Sequence, residues 1–493
     1  MYSPDFETFR RLAEKGNLIP VCREVLADTE TPVSALMKLD ADRTFLLESV
    51  EGGEKWGRYS FLGTDPRLVF RVRGDTVSIE ENGSAGSIRH RGDPLGLLKN
   101  ILGTYRPVPV PGLPRFYGGA VGYLGYEMIR HFERLPSRAA DDLGTDDAVF
   151  LVTDSLAVFD NIRHTIKLVS CVHTDGADLR SAYEAGLQKI ERLADRLASP
   201  LPASAGQNGE GGGDLRSNMP PEAFRSMVER ARKYILQGDA IQVVVSQRFE
   251  GENFASPINL YRALRHVNPS PYLFYLRLDD LALIGSSPEV MVRLEEGTAE
   301  LRPIAGTRRR GATEQEDRGL SNELLEDPKE RAEHVMLVDL GRNDLGRIAE
   351  TGSVQVTQLM SVERYSHVMH LVSNIRAQLA AGRDAFDVIR AAFPAGTLTG
   401  APKIRAMEII DELEPVRRGP YGGAVGYFSY TGNMDFCITI RTMLIRGGRI
   451  YIQAGAGIVA DSNPDAEYRE TLSKAEGLAK ALRLAASAFR MKK

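Results

Sequence analysis

The length, composition and charge of the chain exclude several broad classes of protein. Its 493 residues exceed what one ordinary hydrophobic core supports, and 43% apolar with 26% charged residues is the composition of a globular protein of two or more domains. The 62 basic and 66 acidic residues give a formal net charge of −4 without any basic block. This balance argues against a nucleic-acid backbone as the main partner.

Cysteine usage and hydropathy bear on the compartment. Cys22, Cys171 and Cys437 are widely scattered and form neither a disulfide framework nor a metal-ligand spacing, which suits a reducing cytosol. Residues 1–10 lack the apolar core of a signal peptide, and no apolar run approaches the roughly 20 residues that a membrane helix needs. We therefore expect a cytoplasmic protein.

Helices and strands alternate in the first two hundred residues, up to a clear break. Residues 8–27 predict a helix followed by extended chain, and residues 69–88 alternate in the manner of antiparallel strands. Residues 177–197 predict a charged amphipathic helix. A stretch rich in Gly, Ser and Pro then predicts a flexible linker. We divide the chain into a domain at 1–199, a linker at 200–218 and a domain at 219–493.

One heptapeptide occurs twice, about three hundred residues apart. Residues 117–123 and residues 421–427 both read Tyr-Gly-Gly-Ala-Val-Gly-Tyr. Glycine inside a strand-like segment is typical of a place where another backbone approaches closely. For the first copy we prefer the interpretation as a Gly-rich strand, and one short repeat does not prove duplicated domains.

Two helices of the second half present acidic faces. Asp327 before a proline, with Glu330 three residues later, predicts a capping box and a helix that ends at Gly341. Helical spacing places Glu330, Glu333 and His334 on one face of that helix. Such a face is more often solvated than functional, so this helix alone assigns no site.

The second acidic helix begins at Asn463 and places Glu467, Glu470 and Lys474 on one face. Between the two acidic helices, residues 394–403 hold two glycines, two prolines, two hydroxyls and a lysine just before a predicted helix at 404–414. A loop that delivers N–H groups to a helix N-terminus accepts an anion, but the spacing disfavours a nucleotide phosphate loop. A tight turn and a ligand loop remain comparable interpretations.

Other polar groups complete the chemistry of this half. His367 and His370 have apolar neighbours, Arg441 is an isolated cation, and Gly455 and Gly457 stand at a strand end that could expose N–H groups to a ligand. No nucleophile elbow and no dinucleotide fingerprint occur. The residues therefore suit a hard cation and a carboxylate ligand.

The ordered motifs of this half resemble the anthranilate synthase large-subunit family of chorismate-utilising enzymes. The motifs are Gly-Ser-Ser-Pro-Glu289, Pro-Ile-Ala-Gly-Thr307, Ala-Glu-His334, Pro-Ala-Gly-Thr-Leu-Thr-Gly-Ala-Pro-Lys403, Gly-Pro-Tyr-Gly-Gly423, Ile-Arg-Thr442, Ala-Gly-Ala-Gly457 and Tyr-Arg-Glu-Thr471. We expect an α/β fold of the α+β type, and the resemblance implies a two-sheet, mainly antiparallel sandwich flanked by helices.

The resemblance also implies a site. Mg²⁺, which prefers oxygen ligands, is expected on Glu333 and Glu470. Glu289 is expected to act as general acid on the departing ring hydroxyl, and His370 is expected to serve the loss of pyruvate. Thr397 is expected to support the chemistry, and the expected substrate-binding residues are Gly306, Thr307, Tyr421, Arg441, Gly455, Ala456, Gly457 and Lys474.

Two positions discriminate within the family. Relatives that add water carry a basic lysine where this chain has Gln242, and ammonia needs no such base. Relatives that make aminodeoxychorismate usually carry a nucleophilic lysine where this chain has Ala305. Direct amination to anthranilate is therefore favoured. An aminodeoxychorismate synthase large subunit and a non-catalytic tryptophan-sensing subunit are the alternatives.

The resemblance extends to regulation and partners. Leu-Leu-Glu-Ser49 and Asn-Pro-Ser-Pro-Tyr272 resemble the family's site of tryptophan inhibition, which implies Ser49, Pro271, Tyr272 and Leu273 as tryptophan ligands. Leu273 replaces a frequent methionine, a volume-conserving exchange. No glutaminase segment is found in the sequence, so the family's glutamine amidotransferase small subunit is expected as a separate chain of a hetero-oligomer.

Overall fold

Two large antiparallel sheets dominate the computed structural model, which describes residues 2–49, 57–81, 83–176, 178–202, 214–365 and 368–487. The strands, in chain order, are β1 (Tyr2–Ser3), β2 (Leu18–Leu26), β3 (Arg43–Glu48), β4 (Tyr59–Thr64), β5 (Leu68–Arg73), β6 (Thr76–Glu81), β7 (Ser84–Arg89), β8 (Gly119–Leu124), β9 (Ala148–Thr153), β10 (Ser155–Asp160), β11 (Thr165–His173), β12 (Arg216–Ser217), β13 (Gln242–Glu252), β14 (Tyr272–Leu278), β15 (Leu281–Ser287), β16 (Val290–Glu295), β17 (Thr298–Leu301), β18 (Ile304–Arg309), β19 (Gln355–Arg364), β20 (Val368–Gln378), β21 (Gly400–Ala401), β22 (Ala424–Ser429), β23 (Met434–Ile438), β24 (Thr442–Arg446) and β25 (Arg449–Ile458).

The helices flank these sheets. They are α1 (Phe6–Ala13), α2 (Pro32–Leu39), α3 (Pro94–Gly103), α4 (Leu179–Ala198), α5 (Pro221–Leu236), α6 (Pro257–Val267), α7 (Glu314–Glu326), α8 (Pro328–Gly346), α9 (Ala385–Ala392), α10 (Gly396–Thr399), α11 (Lys403–Leu413) and α12 (Pro464–Ser487), with a 3₁₀ helix at Tyr126–His131. None of the helices in the described part of the chain is long and apolar enough to span a membrane.

Both sheets are continuous across the two halves of the sequence. The first has the order β1-β2-β11-β10-β4-β3-β14-β15-β24-β25-β13-β12, with β21 also on β13. The second has the order β18-β20-β17-β16-β23-β22-β8-β9-β5-β6-β7, with β19 also on β20. The segments 1–199 and 219–493 therefore share both sheets, joined by the pairs β3–β14 and β8–β22. The centre of the predicted linker, 203–213, lies outside the described residues.

The hydrophobic core lies on both faces of the first sheet, because side chains alternate along its strands. Phe45 joins the cluster between the two sheets, which also contains Phe150 and Phe428 of the second sheet. The adjacent Leu46 points to the other cluster, under helices that include α2, α6 and α12. The predicted α+β sandwich of mainly antiparallel sheets flanked by helices is thus confirmed.

The repeated heptapeptide supplies two neighbouring strands at the centre of the second sheet. In β8 and β22, Gly122 and Gly426 stand opposite one another. A Cβ on Gly122 would lie 1.8 Å from the Val149 carbonyl oxygen, and one on Gly426 would lie 2.0 Å from that of Asp435. The prediction that another backbone approaches these glycines closely is confirmed.

One predicted helix end is wrong. Helix α8 begins after its Asp327 cap as predicted, but it continues through Gly341 to Gly346. A Cβ on Gly341 would lie 2.8 Å from Cδ1 of Ile375, so this glycine lets the helix pack closely on β20. Close packing, not a left-handed cap, therefore explains the residue.

The loop at 394–403 is more structured than predicted. It contains the short helix α10 and the two-residue strand β21, and helix α11 follows it within one residue of the predicted bounds. Strand β21 pairs with β13 through Gln242 and Val243. The loop is therefore attached to the sheet on one side and to α11 on the other.

We expect Gly426→Ala to destabilise the fold, because its new Cβ would meet a backbone oxygen that cannot move independently. The loss in the free energy of unfolding should be about 1 to 3 kcal/mol, measured by thermal unfolding. Gly477→Ala in α12 is the matched control, since no atom lies within 4 Å of its added Cβ. It should leave stability unchanged or slightly raised. Equal effects of the two substitutions would contradict the packing argument.

Candidate active site

Glu289 occupies the junction between β15 and β16 and is only 9% exposed. Burial raises the pKa of its carboxyl to about 8, while the Thr397 hydroxyl and the Lys474 ammonium oppose the rise. The main-chain oxygen of Glu289 accepts a hydrogen bond from the Ile438 N–H at 3.0 Å, which fixes the residue to β23. Glu289 therefore holds a proton at neutral pH and can donate it.

Thr397 lies in α10, within the loop that the sequence analysis treats as a ligand loop. Its Oγ1 is buried and makes no hydrogen bond of ordinary geometry with the described residues. The loop itself is braced by Lys403, whose Nζ donates to Asp344 at 2.8 Å and to the Ala392 carbonyl at 3.2 Å. Lys403 thus holds the loop in place, and Thr397 is the polar residue of the loop that lies beside Glu289.

His370 lies on β20 opposite Thr307 of β18. Its Nδ1 is 2.9 Å from the Gly306 carbonyl oxygen and 3.1 Å from the Thr307 hydroxyl. A carbonyl oxygen only accepts hydrogen bonds, so Nδ1 must carry the proton and Nε2 of the neutral ring has a free lone pair. Burial lowers the pKa of His370, which favours this neutral form. His367 lies outside the described residues.

A β-bulge shapes the turn beside His370. The pairing of β18 with β20 shifts between Ala305 and Thr307, and the intervening Gly306 has φ +66°. A Cβ at Gly306 would also lie 3.0 Å from Leu324. Glycine is therefore required at this position, where its carbonyl aims at the imidazole.

A basic wall, formed by Arg441 and Lys474, lies on the other side of the site. Lys474 donates to the Gly455 carbonyl at 2.9 Å and pairs with Glu470 at 2.7 Å. Arg441 donates to the Lys474 carbonyl at 2.9 Å. Burial lowers the pKa of Arg441, and Tyr421 and Glu470 oppose this. The structure thus brings Arg441, Lys474 and Tyr421 to one place.

The glycines of β25 offer backbone donors toward this wall. In an antiparallel strand the N–H and C=O of one residue point the same way. Because Lys474 reaches the Gly455 carbonyl, the N–H groups of Gly455 and of Gly457, two residues on, face the same open edge. The side chain of Ala456, by contrast, is fully buried in an apolar cluster. A Cβ at Gly455 would lie 2.9 Å from the Tyr421 hydroxyl, so only glycine admits that close approach.

The two acidic helices meet beside the basic wall. Burial raises the pKa of Glu333 on α8, and the charges of Glu330, Glu470 and Glu467 raise it further, against Lys329. Burial and Glu470 likewise raise the pKa of Glu467. Neighbouring carboxylates repel unless a cation joins them. Mg²⁺ commonly takes one or two protein carboxylates, so Glu333 and Glu470 fit it, although the described residues contain no cluster of three metal-type ligands.

Glu467 is the acid that the sequence analysis left without a role. It shares a face of α12 with Glu470 by three-residue spacing, and it is buried whereas Glu470 is exposed. The spacing was visible in the sequence. The burial was not, because it arises from the approach of α8 and α12.

A second cavity lies between the two halves of the chain. Its lining includes Ser49, Pro271, Tyr272 and Leu273, the residues predicted to bind tryptophan. Apolar side chains from both sheets, among them Phe61, complete the wall. The predicted residues are therefore brought together, and their role remains a prediction.

The floor of this cavity is charged. Arg293 pairs with Asp435 at 2.8 Å, and the Tyr272 hydroxyl donates to the same carboxylate at 2.9 Å. Tyr272 stands opposite Ser287 on the neighbouring strand, two residues before Glu289. The cavity and the Glu289 site therefore share strands.

Comparison with known proteins settles the family. The profile of the family described as chorismate binding enzyme matches residues 49–480. Anthranilate synthase component 1 of Acetivibrio thermocellus is 47% identical over 490 residues, covering 98% of this chain and 99% of that protein. The chain belongs to the anthranilate synthase component 1 family. The Pseudomonas putida member is 49% identical over 487 residues, covering 97% of this chain and 98% of its own.

Solved structures agree with this assignment. The chain is similar to anthranilate synthase component I from Streptococcus pneumoniae, with a TM-score of 0.77 and 38% identity over 92% of this chain and 99% of that one. The isochorismate synthase MenF of Escherichia coli has a TM-score of 0.71 at 20% identity, covering 97% of this chain and 98% of its own, which shows a shared fold. The resemblance of this chain to the family is thus confirmed.

We expect the raised pKa of Glu289 to appear in the pH dependence of stability. Between its ordinary pKa of 4.5 and the folded value of about 8, the folded state holds a proton that the unfolded state lacks. Wild-type stability should therefore fall relative to Glu289→Gln as the pH rises from about 5 to about 8, and then level off. The total change should be about 1 to 4 kcal/mol by denaturant unfolding.

The control is Glu326→Gln, which removes an exposed carboxylate at the end of α7. Its difference from wild type should not depend on pH over that range. A flat difference for Glu289→Gln as well would contradict a protonated, buried Glu289.

Proposed function

We propose that the chain is the large subunit of a Mg²⁺-dependent anthranilate synthase, a lyase that acts on chorismate. Chorismate and ammonia would give anthranilate, pyruvate and water. The observation that carries this proposal is the buried, protonated Glu289 carboxyl beside Thr397 and Lys474, in a chain that belongs to this family. Glu289 as an acid, His370 as a base and the cations Arg441 and Lys474 support the proposal.

The first step requires a proton donor. Attack of ammonia on the ring forms a C–N bond while the ring hydroxyl leaves, and its oxygen takes the Glu289 proton to become water. The pKa of about 8 keeps this donor loaded at neutral pH. The ammonium formed on the ring then gives up one proton, which balances the step.

The basic wall would bind a carboxylate of the substrate. Arg441 and the N–H groups of Gly455 and Gly457 face one open edge and would receive the enolpyruvyl carboxylate, with hydrogen bonds from Tyr421 and Thr307. Glu333 and Glu470 would hold Mg²⁺, which when bound supplies positive charge for the ring carboxylate. Lys474 would moderate the negative charge of Glu470.

The second step requires a base. Nε2 of His370 has a free lone pair, because Nδ1 donates to the Gly306 carbonyl. Removal of the ring proton by this nitrogen would break the bond to the enolpyruvyl oxygen and complete the aromatic ring. The enolate that is released takes up a proton at its methylene carbon and becomes pyruvate.

The choice of product rests on a missing nucleophile. Ala305 stands beside the Gly306 bulge and has no amine with which to form a covalent intermediate, which favours anthranilate over aminodeoxychorismate. Gln242 likewise offers no base to activate water. Ammonia attacks without such help.

We also propose feedback inhibition by tryptophan in the cavity that contains Ser49 and Tyr272, with residues 1–199 as the regulatory segment and 219–493 as the catalytic one. Apolar walls suit an indole ring, and the Arg293–Asp435 pair suits the charged ends of an amino acid. The shared strands give the cavity a short physical connection to Glu289.

A partner is proposed on chemical grounds. Ammonia would be supplied by a separate glutamine amidotransferase subunit in a hetero-oligomer, since the described residues include only unpaired cysteines, in a strand-like or buried setting unsuited to thiolate formation. We also propose a cytoplasmic location, because three scattered cysteines that form no disulfide suit a reducing compartment. Free ammonium should replace the partner in vitro.

The decisive experiment is incubation with chorismate, Mg²⁺ and ammonium, with products separated by chromatography. Anthranilate and pyruvate should form in equal amounts, and Glu289→Gln should slow their formation by at least about 100-fold. Accumulation of aminodeoxychorismate alone would favour that synthase instead. The absence of any product would favour the non-catalytic tryptophan-sensing subunit.

The metal assignment is tested in the same assay. Glu470→Gln should raise the Mg²⁺ concentration that gives half-maximal rate by about 10-fold or more, because one of two carboxylates is lost. Glu476→Gln, an exposed change on the same helix, should leave it unchanged. Identical Mg²⁺ dependence for both variants would contradict the proposed ligand.

Tryptophan inhibition is tested against each variant's own uninhibited rate. Ser49→Phe, which fills the cavity, and Tyr272→Ala, which removes a wall, should each raise the tryptophan concentration for half inhibition by about 10-fold or more. Tyr272→Phe keeps the ring and loses only the hydroxyl's hydrogen bonds with Asp435 and Arg293, so its effect should be smaller. Unchanged inhibition in all three variants would exclude this cavity.

A further inference from the structure

A buried ion pair lies directly behind the candidate site. Arg418 is 2% exposed and Glu414 is 5% exposed. Nε of Arg418 donates to one oxygen of Glu414 at 2.8 Å, and Nη2 donates to the other at 2.6 Å. Neither residue has a role in the reaction proposed above. Their bidentate geometry is rigid and specific.

The remaining donors of Arg418 reach two separate walls of the pocket. Nη1 donates to the Leu398 carbonyl of α10 at 2.7 Å, next to Thr397. Nη2 also donates to the Val244 carbonyl of β13 at 2.8 Å. The guanidinium thus ties the Thr397 loop to the strand that begins at Gln242.

The same guanidinium packs against the segment that carries Tyr421. Its central carbon lies 5.7 Å from the centre of the Tyr421 ring and 4.6 Å from that of the Tyr126 ring. A Cβ on Gly422 would lie 3.6 Å from Nη1, so the backbone after Tyr421 rests on this group. Arg418 is therefore a contact shared by three walls.

Glu414 extends the connection to a fourth wall. One of its oxygens accepts both the N–H and the hydroxyl of Ser246 at 2.8 Å. Ser246 stands opposite Gly455 across the ladder of β13 and β25. The position of the Gly455 backbone relative to Tyr421 therefore depends on the same pair.

The main chain of Arg418 is held from the first half of the sequence. The Glu127 carboxylate accepts the N–H groups of Arg418 and Gly419, each at 3.0 Å. The Gly419 carbonyl in turn accepts from the Tyr126 N–H at 2.7 Å. Both the side chain and the backbone of Arg418 are therefore fixed.

We propose that Arg418, oriented by Glu414, is a positioning residue that sets the separation of Thr397, Tyr421 and Gly455 in the pocket. This inference rests on the proposed function, because those are the groups placed around chorismate. Arg418 itself does not touch substrate. Its effect is geometric, and misplacement of reacting groups by about 1 Å can cost about 100-fold in rate.

A structural contribution alone does not explain this arrangement. A buried ion pair is weak evidence for stability, since desolvation offsets much of the attraction. Arginine offers a planar fork of five N–H donors, whereas lysine has three donors on a single nitrogen and no fork. Lysine could keep the charge near Glu414 but could not reach Glu414, Leu398 and Val244 together.

The test compares Arg418→Lys with Arg130→Lys in the full-length chain. Arg130 pairs with Asp411 on α11 at 2.6 Å and, within the described residues, hydrogen-bonds none of the groups that Arg418 reaches, so it controls for the loss of a less buried arginine pair. Chorismate affinity is measured by calorimetry with Mg²⁺ and without ammonium, and turnover is measured separately with ammonium. Thermal unfolding reports the structural cost of each change.

Arg418→Lys should lower kcat/KM for chorismate by about 10- to 100-fold, with weaker chorismate binding, at a temperature at which thermal unfolding shows both variants to be folded. Equal kinetics and affinity of the two variants would overturn the inference. Methylguanidinium added to Arg418→Ala should restore part of the lost affinity, which a purely structural role would not predict.

Glu414→Gln provides a second measurement should the arginine variants fold poorly. Its amide can still accept from Ser246 but loses the charge that orients Arg418, so we expect a several-fold loss of chorismate affinity. Wild-type affinity in this variant would also overturn the inference. Failure of the wild-type chain to form anthranilate would reject the proposed reaction and leave the affinity comparison valid.

Discussion

The pairing of strands from distant parts of the sequence is the constraint on which the structure depends. Strand β3 pairs with β14, and β8 pairs with β22, so each sheet contains both halves of the chain. The glycines opposed in β8 and β22 admit a backbone approach that any side chain would block. The site and the second cavity are both built on these shared sheets, and neither half completes the cavity alone.

Burial then gives the site its chemistry. Glu289 lies where a carboxyl loses its water, which raises its pKa to about 8 and keeps it protonated. His370 is neutral for the related reason that burial disfavours its charged form, and the Gly306 carbonyl selects the tautomer. An acid and a base are thus present together at one pH, because each is desolvated in its less charged state.

The negative charge of the acidic side chains in the pocket is only partly neutralised by protein cations. Burial raises the pKa of Glu333 and of Glu467, and the charge of Glu470 raises both further, while Lys474 neutralises only part of the negative charge there. A hard cation relieves the repulsion that remains. Behind this polar surface, the Arg418–Glu414 pair satisfies its own groups and links the walls, so this support is separate from the groups that are proposed to bind substrate.

The sequence by itself determined the family and much of the local structure, and it named the candidate site residues. The Asp327 cap of α8, the bounds of α11 to within one residue and the close approach at the repeated heptapeptide follow from local residue chemistry, and they appear as predicted. The reciprocal bond of the predicted capping box does not form, because the Asp327 N–H donates to the Glu323 carbonyl instead of to Glu330. The end of α8 does not appear as predicted, because Gly341 packs closely against Ile375, a residue of a distant strand. Only the tertiary structure decided that Glu467 is buried, that Lys403 braces α8, and that Arg418 joins the walls of the pocket. Burial and contact between distant segments depend on how sheets and helices assemble, and no local pattern of residues encodes which segments come together.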